Sequence, residues 1–151
     1  MSETDDLYGL ALEEFVPARD ALAKELGGAD GKAVRTLRKP SVAAWCANQA
    51  VRSQPKAARE LWAAGDALRD AHAAIVAGRS ADLRAATARH RAALRPLLAA
   101  AAGMLDARGR AMSAQTLQRV EATLHAASLE PALREEAQAG RFVTDHRHVG
   151  V

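Results

Sequence analysis

Cysteine, aromatic rings and long apolar runs are all scarce in this chain, and each scarcity removes a class of protein. The single cysteine, Cys46, excludes an intrachain disulfide and a cysteine-based zinc site, so a reducing compartment is the expectation. The longest uncharged apolar run, Pro96 to Leu105, is about half of what spans a bilayer, which argues against a membrane partner. The opening MSETDD is acidic where a secretory signal needs positive charge, and the expected location is the cytoplasm. Lysine is scarce too, because only Lys24, Lys32, Lys39 and Lys56 stand among 21 basic residues. Heavy use of arginine and alanine is what a GC-rich genome writes by default, so arginine preference alone says little about phosphate binding.

What is there is alanine, about a quarter of all positions, within a hydrophobic fraction of 49%. Alanine is the strongest helix former and a poor strand former. With aromatics at only 3%, the core must come from Ala and Leu, whose small volumes let helix backbones approach closely. A length of 151 residues supports one compact domain, assigned here to residues 1–140. Residues 141–151 lack periodicity and read as a flexible C-terminal tail, loose beyond Phe142.

Punctuation by Gly, Pro and Ser divides the domain into about six to seven helices. The first dozen residues read as an acidic lead-in. A first helix begins near Val16, with Pro17 in its opening turn, and ends at Gly27-Gly28. A short one follows from about Gly31 or Lys32 to Arg38, stopped by Pro40. Ser41 caps a third helix that reaches Arg52. Pro55 opens a long helix through Ala77, in which Leu61, Gly65, Leu68, His72 and Ile75 form a heptad seam. The next helix spans about 81–107 with a matching seam of Leu83, Thr87, His90, Leu94, Leu97, Ala101 and Met104; Pro96 inside it predicts a kink. Joined by a short connection around Gly78 and Arg79, the two must pack as an antiparallel hairpin, about 55–77 against 80–107. Ser113 caps a further helix, and Pro131 to Gly140 encloses a last short one. The fold class is all-α, a helical bundle built around this hairpin.

Catalytic motifs are missing. There is no phosphate loop, dinucleotide loop, HExxH or nucleophile elbow, and no cofactor is implied. Glu121 and His125, four apart, read as a surface ion pair. A non-enzymatic protein is expected. His72 and His90 take seam positions, and folding the hairpin about Gly78 sets His90 beside Leu68 and the two rings about 6 Å apart along the axis. They are weak metal candidates, since no carboxylate or thiol on the seam completes a coordination shell; partly buried histidines bonded to neighbours are the plainer reading.

Charge provides the better lead. From Gly31 to Arg59 there are seven basic residues, Arg38 and Lys39 among them, and no acid. Arg84, Arg91 and Arg95 fall within about 40° of one another on the later helix. Together they could attract phosphate, or their stems could lie beside the seam and pair with acids from elsewhere. On the helix after Ser41, Trp45, Asn48, Gln49 and Arg52 gather within about 100°, opposite an apolar side. That is the composition of a recognition surface for nucleic acid or protein. The same spacing also suits a helix buried on both sides, with Trp45 in the core and the amides bonded to backbone.

The stretch Leu37 to Trp45 (LRKPSVAAW) with Asn48-Gln49, together with Leu12 to Asp20 (LEEFVPARD), resembles an uncharacterised family of small helical proteins from high-GC bacteria. The resemblance implies an all-α fold and brings no activity. From the residues themselves the expectation is an interaction module binding a protein partner or itself. The alternative is a nucleic-acid-binding protein using the basic segment and the Arg84/Arg91/Arg95 stripe.

Overall fold

The computed structural model describes residues 3–148, which form an all-helical bundle with no strand among them. Eight helices follow one another: α1 (Glu3–Asp6), α2 (Phe15–Leu26), α3 (Gly28–Arg35), α4 (Val42–Ser53), α5 (Pro55–Val76), α6 (Leu83–Asp106), α7 (Ala114–Leu129) and α8 (Pro131–Ala139). Two 3-10 turns, Leu7–Gly9 and Leu12–Glu14, organise the acidic lead-in. No helix is long and apolar enough to cross a membrane.

Local chemistry sets most of the boundaries. Ser41 accepts a hydrogen bond from the Ala44 amide and Ser113 from that of Thr116, each satisfying an orphan N–H of the first turn. Prolines sit in the opening turns of α5 and α8, where no amide is needed. The boundaries of α3 and the start of α6 differ from expectation. α3 starts at Gly28, three residues early, and ends at Arg35, three residues short of Arg38, and α6 starts at Leu83, capped by the Asp82 carboxylate on the Ala85 amide. α6 continues through Pro96 as one helix.

α4 lies at the centre, with every residue from Ala43 to Val51 buried. Its alanines let α6 and α7 come close, while Leu61, Trp62, Leu97, Val120, Leu124 and Phe142 fill the space around it. α7 also approaches α5 closely. A Cβ on Gly65 would stand 2.1 Å from the Ser128 carbonyl oxygen, so that crossing admits only glycine. A smaller cluster of Leu7, Tyr8, Phe15, Leu22, Ala23 and Val34 forms a second core under the N-terminal elements.

The C-terminal segment departs most from expectation. Residues 141–148 lie against the bundle, with Phe142 fully buried. The Asn48 amide donates to the Phe142 carbonyl at 2.9 Å and accepts from its N–H at 2.6 Å. The Ser41 N–H donates to Val143 and the His146 N–H to Thr123 Oγ1. An aperiodic segment can be ordered by partners distant in sequence, and periodicity has no way of seeing them. Residues 149–151 lie outside the described residues.

Candidate interaction surface

The polar face of α4 is interior. Trp45, Asn48 and Gln49 are 6%, 0% and 9% exposed. Trp45 Nε1 donates to the Leu10 carbonyl at 2.8 Å and Gln49 Nε2 to that of Tyr8 at 2.7 Å. Arg52, half-buried, donates from Nε to the Gly140 carbonyl at 2.9 Å and from Nη2 to that of Asp5. Burial pushes the Arg52 pKa down, against the pull of Asp5 and Asp6. The four residues proposed as a recognition surface thus hold the two ends of the chain against the central helix through main-chain atoms. The physical reason is satisfaction: the short N-terminal turns and the chain after α8 lie against α4, and their carbonyls need donors. Arg108 closes the Trp45 side, its guanidinium 5.3 Å from the ring centre and paired with Glu13.

The basic residues have the opposite fate. Arg38 and Lys39 are exposed in the connection before α4, as are Arg84, Arg91 and Arg95 on α6. None of these five has an ion-pair partner among the described residues, whereas Arg89 pairs with Glu60 and Arg134 with Asp66. Lys39 joins Arg108, the larger influence, in holding the Glu13 carboxyl below its usual range. Between Leu83 and Leu105, α6 carries four arginines and no carboxylate.

The histidines regroup. His72 is exposed, while His90 is buried and bonded through Nε2 to Ser128 Oγ at 2.7 Å. Its ring neighbour is His125 of α7, 5.0 Å away and edge-on, and not His72. Ser128 touches both His90 and the Gly65 notch, so His90 bonds to α7 where that helix crosses α5. His148 continues the row, 6.0 Å from His125, and bonds Glu130. Burial, reinforced by His125, pushes the His90 pKa down to about 4; burial and His148 lower that of His125, against Glu121. Among the described residues no group of three or more His, Cys, Asp or Glu is disposed to hold a metal ion. The Cys46 thiol is fully buried and pushed up to about 11, which keeps it protonated at neutral pH.

One part of the hairpin is left uncovered. The last buried residue of α5 is Ala71, and the first of α6 is His90. Beyond them Ile75 is 45% and Val76 is 88% exposed, with Leu83, Ala86 and Thr87 only half covered. The seam pattern names Ile75 and Leu83 as core, and no third helix arrives to make them so. Val76 is off the seam, and no pattern marked it.

No family model, curated protein or solved structure matches this chain.

Proposed function

We propose that this protein is a non-enzymatic helical interaction module that binds a protein partner, or a second copy of itself, through the far end of the α5–α6 hairpin. The observation that carries this reading is Val76, 88% exposed beside Ile75 on an ordered helix end. Leaving these side chains in water forfeits the gain that burying them would bring, ~1.5–3 kcal/mol for each fully covered. A partner that covers them recovers it. Sedimentation over a concentration series, together with co-purification against the Ile75→Ser/Val76→Ser double variant, tests the proposal. Self-association or specific partners should be present with the parent chain and lost with the variant, at an unchanged melting temperature. A chain that stays monomeric and retains the same proteins with or without the substitutions would contradict it.

A second reading, nucleic-acid binding, is favoured by one observation, the arginine face of α6, where Arg84, Arg91 and Arg95 have no ion-pair partner among the described residues. With Asn48 and Gln49 buried, such binding would rest on phosphates and not read bases. It should weaken steeply between low and moderate salt in a mobility-shift series with mixed DNA and RNA. No shift at low salt would remove it.

A further inference from the structure

The crook between α2 and α3 holds a second concentration of unpaired charge, independent of the hairpin. An open cleft of about 550 Å³ lies there, and its only charged lining groups are Lys24, Lys32 and Arg35. None of the three has an ion-pair partner among the described residues, and no carboxylate or aromatic ring lines the cleft. Sequence and packing together bring the cations into one place. Gly31 sits against α2 so closely that a Cβ would stand 2.4 Å from the Ala23 carbonyl oxygen, which fixes the two helices side by side. Gly27 and Gly28, at φ 63° and 58°, reverse the chain between them. Lys24 then projects from the last turn of α2, while Lys32 and Arg35, three apart on α3, project from the other wall. Three like charges line one cleft, so their fields add there.

We propose that this cleft is a binding site for a linear polyphosphate group, a diphosphate or triphosphate. Charge selects the ligand: three cations with no carboxylate in the lining match a polyanion better than a single carboxylate or sulfate. The volume exceeds that of one phosphate and admits a chain of two or three. The group could come from inorganic polyphosphate or from the tail of a nucleotide. With no aromatic ring to stack a base and no amide side chain to read one, the phosphates alone should determine affinity.

Calorimetric titration of the full chain with pyrophosphate, tripolyphosphate, ATP and sulfate, paired with melting curves, tests this. Tripolyphosphate should bind saturably and raise the melting temperature, sulfate should bind far more weakly, and ATP should bind no tighter than tripolyphosphate. Lys32→Gln and Arg35→Gln should each weaken binding roughly tenfold, the worth of one lost charge-assisted contact. Lys32→Arg should retain it, and Arg119→Gln, on the exposed face of α7, should not affect it. All three positions are exposed, and an unchanged far-UV spectrum for each variant confirms that the fold is kept. Absence of saturable binding, equal loss in Arg119→Gln, or ATP binding much tighter than tripolyphosphate would overturn the proposal. Because none of these residues belongs to the α5–α6 hairpin, failure here leaves the hairpin reading standing, and the reverse also holds.

Discussion

The two halves of the α5–α6 hairpin are built on the same pattern and end in opposite environments. In the half nearer the bundle, Leu61, Gly65 and Leu68 on α5 and His90, Leu94 and Leu97 on α6 are buried. In the other half, at the same spacing, His72 and Ile75 are exposed and Leu83 and Thr87 half covered. Heptad spacing fixes which residues share a face. Whether that face becomes core depends on a third layer, here α4 and α7, which covers one half and stops. An apolar side chain therefore contributes to stability in one half and is left for something else to cover in the other.

Truncation along one seam gives the largest expected contrast. Leu61→Ala, at 0% exposed, should cost ~2–5 kcal/mol in urea unfolding, while Ile75→Ala, at 45%, should cost less than ~1 kcal/mol. Equal costs would mean that the far half is covered after all. Next comes the clasp on the covered side. Asn48→Ala leaves a buried N–H and a buried carbonyl of Phe142 without partners and should cost ~2–3 kcal/mol, with the segment after Gly140 becoming open to protease. An intact, protease-resistant C-terminal segment in that variant would show that other contacts carry it.

The histidines sharpen the comparison through pH. His90 on the covered half is held at about 4, below the 6.5 of an unfolded chain, so the folded state favours its neutral ring. Its contribution is complete above pH 6.5, declines as pH falls towards 4 and is gone below that, up to about 3 kcal/mol in all. His90→Gln should flatten the stability profile between pH 6.5 and 4. His72→Gln on the uncovered half serves as the control, and a profile altered equally by both would count against the assignment. The smallest effect belongs to Val76→Ser, within ~0.5 kcal/mol, with melting curves superimposable on the parent's. A drop well beyond that would place Val76 in a contact made within the chain.

Much of this was legible because it is local. Ser41, Ser113, Pro55, Pro131 and Gly140 mark helix ends through chemistry confined to one turn, and the alternating steps from Leu61 to Ile75 and from Leu83 to Met104 give the hairpin. The site was less legible because Trp45, Asn48, Gln49 and Arg52 have one helical spacing under either reading. A tryptophan with two amides looks the same facing a ligand as facing the chain's own carbonyls. What decided between them was the path of residues 5–10 and 140–143, set by contacts 35 to 94 residues away. The row His90, His125 and His148 likewise joins α6, α7 and the last described residue, and no spacing in the sequence announces it.

By itself, then, the sequence determined that the protein is helical, where most helices begin and end, and that α5 returns through α6, since each follows from propensity, caps and periodicity within a few turns. Only the tertiary structure decided that the near half of that hairpin is core, that the far half is bare, and that the polar face of α4 faces inward. Burial is a property of what packs against a surface, and those elements lie far along the chain.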